Sequence, residues 1–283
     1  MSALVQNTAE WLEMRKNKIG SSDAPVIMGV SPWRTPYQLW LDKLSSEQAD
    51  KTPQMQRGHD LEEKARQEFE SMTGLIVVPC VVQHPDYEWM IASLDGMDFE
   101  QKNIVEIKCP GHEDHALALR DKIPDKYYPQ LQHQIEVTGL EKVSYFSYDG
   151  VAGKVVDVYR DEKFIALMLD LEKQFWYCMQ TMESPRLMER DYIQKDDELW
   201  LAATAEWKRL HRQAAEIKAK EEELRETLIA LSGRKNVCGG GVKLARIIRK
   251  GSVDYKAIPQ LQEVDLELYR GAPTESWRIT EHA

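Results

Sequence analysis

Two acidic residues and a lysine near the middle of the chain are of the types that support metal-assisted chemistry. Asp95 is followed by a glycine, and the run Glu106-Ile107-Lys108 begins eleven residues after it. On a β-strand Glu106 and Lys108 point to the same face, because successive side chains alternate. If an antiparallel neighbour brings Asp95 opposite Glu106, two carboxylates and the carbonyl of Ile107 offer the oxygen ligands that Mg²⁺ or Mn²⁺ prefers.

A metal held by such ligands stabilises negative charge on a phosphate and helps to deprotonate an attacking water. Lys108 is then placed to orient that water or to neutralise the developing oxyanion. The same three residues also fit a surface ion pair on a charged strand, so their spacing alone leaves both interpretations open.

The composition narrows the class of protein. The 283 residues are 42% hydrophobic and 30% charged, which is typical of a globular protein with a core. The net charge of −10 argues against a protein that coats nucleic acid through bulk electrostatics, although it does not exclude an enzyme that holds DNA in a local groove. Because we find neither a signal-peptide pattern nor a long apolar run, we expect a cytoplasmic protein.

The elements that must position these residues follow from the spacing of apolar side chains. It predicts helices within residues 1–20, from Pro32 or Pro36 onward, at 55–72 and at 129–138. After Gly74 short β-branched runs predict strands at 75–83, 88–94, 97–99, 103–109, 143–148 and 154–159, with Asp95-Gly96 as a turn between two of them. These elements predict an α+β core over residues 1–160.

The rest of the chain has a different pattern. Over residues 161–232, apolar stripes from Phe164 to Met182 and from Trp200 to Leu231 predict two long helices, packed as a hairpin or arm or extended as a coiled-coil oligomerisation arm. Residues 233–283 predict a small segment with a β-hairpin at Gly239-Gly240-Gly241. Arg234 to Lys250 contains six Lys or Arg and no acid, which favours either contact with duplex DNA or a solvated face.

Further blocks of sequence resemble one nuclease family. Asp95, Glu106 and Lys108 are similar to the core motif of the PD-(D/E)XK nucleases. The flanking blocks resemble the lambda-exonuclease-like (YqaJ-type) viral recombinase family, in the family's order: Trp11, Arg15 and Ser22 with the stretch 18–33, then Arg57-Gly58 to Glu62, then Tyr127 to Gln134 and on to Gly139. The resemblance covers residues 11 to about 150 and implies a restriction-endonuclease-like core, a mixed central sheet flanked by helices.

The resemblance also implies roles for individual residues. Asp95, Glu106 and the carbonyl of Ile107 bind the metal, Lys108 assists the water, and Glu62 is a further acid near the metal. A second group forms a pocket for the terminal 5′-phosphate of DNA, in which a guanidinium, two hydroxyls and an amide saturate phosphate oxygens without reading a base: Arg15, Ser22, Ser93 and Gln130. For Glu62, Arg15 and Gln130 a solvated charge or an ordinary helix-end residue is the alternative.

The activity that the resemblance implies is a Mg²⁺-dependent exonuclease, with Mn²⁺ as a possible substitute. Such an enzyme degrades the 5′-ended strand of linear duplex DNA and leaves 3′ tails for a single-strand annealing protein in phage-type recombination, inside a bacterial host cell. The resemblance further implies a homo-oligomer, commonly a ring-shaped trimer. Two alternatives remain, a structure-specific or internally cutting endonuclease of the same fold and a non-catalytic DNA-binding or assembly module.

Overall fold

The computed structural model describes residues 8–45 and 53–251, together with Ile258 and Val264. The chain divides into two compact units, Met1–Tyr192 and Ile193–Ala283. Over the described residues no helix combines the length and the apolar character that crossing a bilayer requires.

The N-terminal unit is built on a six-stranded mixed sheet. Its strands are β1 (Ile19–Gly20), β2 (Val77–Gln83), β3 (Met90–Asp98), β4 (Ile104–Lys108), β5 (Lys142–Tyr148) and β6 (Gly153–Tyr159). The order is β1-β3-β4-β5-β6, and β2 pairs with β3 as well. The pairs β2–β3, β3–β4 and β5–β6 are antiparallel, whereas β1–β3 and β4–β5 are parallel.

Strand β3 lies at the centre of this arrangement. One of its edges pairs with β2 over most of its length. Its other edge pairs with β1 at Met90 and Ile91, and with β4 only from Gly96 onward. Residues 92–95 therefore lie between the two pairings on that edge, where polar side chains can be displayed beside the ends of two other strands.

Helices cover both faces of the sheet. They are α1 (Ala9–Lys16), α2 (Ala24–Ile27), α3 (Pro36–Leu44), α4 (Pro53–Thr73), α5 (His112–Ala118), α6 (Tyr128–Thr138) and α7 (Glu162–Thr181), followed by the 3₁₀ turn Glu189–Asp191. On one face α4 buries Ala65 and Phe69 against β4 and β5. On the other face α6 and α7 pack over β3 and β5 in a larger apolar cluster.

Strand β4 separates apolar from polar side chains, as its sequence predicts. Val105 and Ile107 are buried in the cluster with Phe69 of α4. Glu106 and Lys108 point to the opposite face, toward α6, because side chains alternate along a strand. This alternation fixes the direction of both functional candidates on β4.

The predicted helices and strands of this unit are largely confirmed, with three corrections. Asp95-Gly96 is no turn, since β3 runs through it without interruption. Helix α5 was not predicted, because its seven residues include too few apolar side chains to form a stripe. On α7 the predicted stripe is shifted by part of a turn: Phe175 is buried and Phe164 and Leu171 are partly buried, but Leu167 is exposed and the other buried residues are Ile165, Met168 and Glu172.

The error on α7 has a physical cause. Glu172 is fully buried because its carboxylate accepts a hydrogen bond from the His133 ring on α6, with 2.8 Å between Nδ1 and Oε1. A charged residue on the buried side is invisible to a search for apolar periodicity. Helix α7 contacts α2, α3 and α6, so its buried face belongs to the N-terminal unit.

The C-terminal unit contains α8 (Glu198–Leu231), with Asp197 as its N-cap, and the hairpin of β7 (Val237–Gly239) and β8 (Val242–Leu244). The hairpin forms at the predicted glycine turn, and β8 ends at Leu244. In the block from Arg57 to Glu62, the side chains of residues 57–60 lie outside the described part of the structure, whereas those of Leu61 and Glu62 are described.

Candidate active site

Asp95 owes its position to a β-bulge. Met97 pairs with Val78 of β2 and Leu94 pairs with Cys80, so Asp95 and Gly96 together face the single residue Pro79. Proline has no N–H to donate, which makes it compatible with an interrupted ladder. A bulge redirects the side chain that it carries. Here it directs Asp95 toward β4.

The glycine after Asp95 is required by close packing. A Cβ at Gly96 would lie 2.6 Å from a methyl carbon of Val77 and 2.8 Å from one of Val105. Any larger residue would push β2 and β4 away from β3 at this point. The Asp-Gly pair that resembles a turn in the sequence is therefore needed for the approach of three strands.

Asp95 is bound to the strand that carries the second acid. Its Oδ2 accepts a hydrogen bond of 2.8 Å from the backbone N–H of Ile107. This bond places its carboxylate beside the backbone between Glu106 and Lys108. The three residues predicted from their spacing are thus brought together on one side of the sheet.

Glu106 is 1% exposed, and its two oxygens accept three hydrogen bonds. Oε1 accepts from Nζ of Lys108 at 2.5 Å and from Nε2 of Gln130 at 2.6 Å, while Oε2 accepts from Nε2 of Gln134. Both glutamines are buried on α6, where a spacing of four residues puts them on the same face. The two amides fix the orientation of the carboxylate without neutralising its charge.

The electrostatics of this cluster favour a cation. Burial, and after it the carboxylate of Glu106, raises the pKa of Asp95 well above its ordinary value, and the charge of Glu62 on α4 raises it further. Burial by itself lowers the pKa of Lys108, but the carboxylates of Glu106 and Asp95 outweigh it and hold that pKa above its ordinary value. Lys108 therefore carries its positive charge at neutral pH, beside more acids than it can neutralise.

A second cluster lies where the N-terminal segment meets β3. The guanidinium of Arg15 donates to Oγ of Ser22 at 2.5 Å and lies over the ring of Trp11, 5.1 Å from its centroid. Nε1 of Trp11 donates to Oγ of Ser93 at 3.2 Å. Ser93 precedes Asp95 by two residues on β3, so this cluster begins about 7 Å along the strand from the acidic one.

A buried lysine that sequence reasoning missed holds the loop of this second cluster. Nζ of Lys43, on α3, donates to the backbone oxygens of Arg15 and Lys18 and to Oδ2 of Asp23, each at 2.7 Å. The side chains of Lys43 and Asp23 are only 6% and 7% exposed. These bonds fix the backbone on both sides of the turn from Arg15 to Ser22.

The predicted phosphate pocket is only partly assembled. Arg15, Ser22 and Ser93 are joined through Trp11, whereas Gln130 makes its hydrogen bond to Glu106 instead. Gln134 is a further member of the acidic cluster that the prediction omitted. Its spacing of four residues from Gln130 on a predicted helix was the signal for it. No comparable signal marks a lysine that binds two backbone carbonyls.

The mixed sheet, with two acids and a lysine on adjacent strands and helices on both faces, defines the protein as one with the restriction-endonuclease-like fold. Residues 10–141 match the family model of the YqaJ-like viral recombinase domain.

The chain also resembles a curated protein and solved structures. The "Uncharacterized protein YqaJ" of Bacillus subtilis (strain 168) is 32% identical over 174 residues, which cover 59% of this chain and 54% of that protein. The chain thus spans about half the length of this curated relative. The alkaline exonuclease LHK-Exo from Laribacter hongkongensis has 28% identity and a TM-score of 0.54, covering 62% of this chain and 94% of that one. Its complex with dAMP has the same identity and coverage and a TM-score of 0.55.

Proposed function

We propose that the protein is a metal-dependent exonuclease that degrades the 5′-ended strand of linear duplex DNA. The observation that carries this proposal is the convergence of Asp95 and Glu106 from adjacent strands, with Lys108 bonded to Glu106. The proposal is supported by a solved relative that is described as an alkaline exonuclease and that has been crystallised with dAMP.

Mg²⁺, with Mn²⁺ as a substitute, is the cofactor that fits this donor set. Among the described residues no group of three or more His, Cys, Asp or Glu side chains is arranged around one point. The ligands would be Asp95, Glu106 and the carbonyl of Ile107, with Glu62 acting through water, and such a sparse set of oxygen donors suits an ion that retains several waters. When bound, the ion supplies charge stabilisation at the phosphate and lowers the pKa of a coordinated water.

The chain's own residues complete the reaction site. Nζ of Lys108 donates to Oε1 of Glu106, so it is placed to act as a hydrogen-bond donor that orients the water or neutralises charge on the phosphate. The amides of Gln130 and Gln134 hold the carboxylate of Glu106 in one orientation. This division of roles leaves the acids to bind the metal and the lysine to contact the reacting groups.

The second cluster provides the preference for a DNA end. Arg15, Ser22 and Ser93 bind the terminal 5′-phosphate, with Gln130 contributing from the side of the carboxylates. A guanidinium and hydroxyls can bind phosphate oxygens without reading sequence. Because Ser93 and Asp95 lie on one strand, a terminal phosphate bound at the second cluster places the neighbouring phosphodiester near the acidic cluster of Asp95 and Glu106.

The same proposal extends to partners. The 3′ tails left by this digestion are substrates for a single-strand annealing protein in phage-type recombination in the cytoplasm of a bacterial host. A ring-shaped homo-oligomer, commonly a trimer, would keep the enzyme on one DNA molecule through many cleavage steps.

Strand-specific digestion tests the proposal. A linear duplex labelled on either strand, with or without a 5′-phosphate, is incubated with Mg²⁺ beside a sealed circle. We expect loss of the 5′-ended strand, faster digestion of phosphorylated ends, and an intact circle. Cutting of the circle would instead favour an internally cutting endonuclease.

A lysine variant tests the mechanism. Lys108→Ala should abolish cleavage while the protein still binds duplex ends, because the substitution removes the donor and leaves the second cluster intact. Lys102→Ala is the matched control, since Lys102 is exposed and pairs with Glu100 in the β3–β4 turn. A Lys108→Ala variant as active as the control would refute the mechanism.

A further inference from the structure

A basic segment in the C-terminal unit has no role in the proposed reaction site. Residues 234–250, here called the basic hairpin segment, carry six cations and no acid in a chain whose net charge is −10: Arg234, Lys235, Lys243, Arg246, Arg249 and Lys250. Within the part of the chain that the structure describes, none of the six forms an ion pair. On α8, by contrast, Arg209 and Arg225 each pair with a glutamate three residues earlier, at 2.6 Å.

The hairpin of this segment has two chemically different faces. Val237, Val242 and Leu244 line an apolar groove together with Leu228 and Leu231, which lie at the end of α8. The register pairs Val237 with Leu244 across the two strands, so these apolar side chains share one face. This face of the hairpin is therefore the one directed toward the end of α8.

The opposite face carries charge into solvent. Lys243 lies between the two apolar residues of β8 and pairs with Cys238, so both point away from the groove. Both are exposed. On this outer face of the two strands, Lys243 has only Cys238 as its cross-strand neighbour.

A side-chain bond brings another cation to the same hairpin. Oδ1 of Asn236, just before β7, accepts a hydrogen bond of 2.8 Å from the backbone N–H of Arg246, just after β8. This bond holds the departing chain beside the arriving one. As a result Lys235 and Arg246, which are distant in sequence, lie at the same end of the hairpin, and both are exposed.

We propose that the exposed cations of the basic hairpin segment, Lys243 on its outer face and Lys235 and Arg246 at its open end, bind the phosphate backbone of duplex DNA, as a contact in addition to the reaction site. Unpaired Lys and Arg side chains bind phosphates through charge and hydrogen bonds without reading bases. The tip of the hairpin, Gly239-Gly240-Gly241, has no side chains that would prevent the DNA backbone from approaching closely. The inference rests on the proposed function only in its choice of DNA as the polyanion.

Salt dependence of binding tests this inference in the full chain. Binding to a blunt, 5′-phosphorylated duplex is measured over a range of NaCl concentrations in EDTA, which prevents cleavage. The test variant is K243Q/R246Q, and the matched control is K218Q/K220Q, which removes two exposed lysines of α8. Each lost phosphate contact lowers the slope of log K against log [salt] by about 0.9, so we expect the test variant to lower it by about 1.8 and the control to leave it unchanged.

The outcomes separate the possibilities. An unchanged slope in K243Q/R246Q overturns the inference, because it shows that these two side chains do not contact phosphates. An equal loss of slope in K218Q/K220Q also overturns it, because the effect then comes from bulk charge and not from the hairpin. The same titration is repeated with a single-stranded DNA of the same length. If K243Q/R246Q lowers the slope for the single strand but not for the duplex, the assignment to duplex DNA is overturned. Cleavage by the unmodified protein is measured separately, so failure of the proposed exonuclease activity is distinguishable from failure of this contact.

Discussion

Lys43→Met tests whether a buried ion pair supports the N-terminal cluster. Methionine keeps most of the side-chain volume but removes the charge and three hydrogen bonds, to the backbone oxygens of Arg15 and Lys18 and to Asp23. Oδ2 of Asp23 retains the N–H of Gly20 as a donor, at 2.9 Å. Removing one partner of a buried pair leaves the other charge uncompensated, so we expect a loss of about 3–5 kcal/mol in the free energy of unfolding.

The pH dependence of this loss has a definite sign. Burial opposes ionisation of Asp23, but Lys43 and then Arg15 hold its pKa below the ordinary value of 3.8. The stability that the pair contributes is therefore present above that value and lost as the pH falls through the lower folded pKa. In Lys43→Met burial is no longer opposed by the lysine, so the pKa of Asp23 rises. The difference between the two proteins should narrow from about pH 7 to about pH 4.

Urea unfolding followed by tryptophan fluorescence measures both effects. The midpoint should fall with little change in the m-value, since the surface exposed on unfolding is nearly the same. A double-mutant cycle with Asp23→Asn isolates the pair, and the double variant should lose much less than the sum of the single losses. A Lys43→Met loss below about 1 kcal/mol, or additive single losses, would show that the pair contributes little.

Three further substitutions test other parts of the fold. Gly96→Ala should cost about 1–3 kcal/mol by thermal unfolding, because its Cβ would lie 2.6 Å from a valine methyl on β2. Gln134→Leu leaves a buried oxygen of Glu106 without its donor, so calorimetry should show a loss of about 1–3 kcal/mol. Burial by itself lowers the pKa of His133, but the carboxylate of Glu172 outweighs burial and holds this pKa above 6.5. The stabilisation that the pair contributes is therefore complete below pH 6.5 and declines as the pH rises through the folded pKa. His133→Gln should flatten that decline in urea unfolding.

Most of the fold could be predicted from local patterns. Strands β4, β5 and β6 and helices α3, α4 and α6 have regular apolar spacing. Thr35 before α3 and Gly139 after α6 are clear caps. The predicted alternation on β4 placed Glu106 and Lys108 on one face, because strand periodicity needs no knowledge of distant residues. Local sequence patterns are enough to predict a helix or strand that buries only one of its faces.

Prediction from the sequence failed where the local structure depends on contacts between segments that are distant along the chain. Asp95-Gly96 has the composition of a turn, but pairing with β2 opposite Pro79 makes it a bulge inside β3. Likewise the role of Lys43 depends on carbonyl oxygens from a different element, 25 and 28 residues away. Such contacts leave no periodic trace, so only the folded chain reveals them.

The buried carboxylates of the N-terminal unit fall into two kinds. Asp23 receives the ammonium of Lys43, and Glu172 receives the ring of His133, each at 2.7–2.8 Å. Each of these acids has one basic side chain as its partner, which is the usual requirement for a buried carboxylate in a structural role. They hold α3 to the N-terminal turn and α6 to α7.

The acids of the candidate site are treated differently. Most of their donors are neutral, namely the amides of Gln130 and Gln134 and the N–H of Ile107, and Lys108 is the one cation bonded to them among the described residues. Neutral donors satisfy the lone pairs of a carboxylate while leaving its charge in place. Since Asp95 and Glu106 share a single lysine, burial makes a second negative charge costly there, as the raised pKa of Asp95 indicates, and a divalent cation would relieve that cost. A fold that needed these acids only for stability would gain from arginine or lysine at the two glutamine positions.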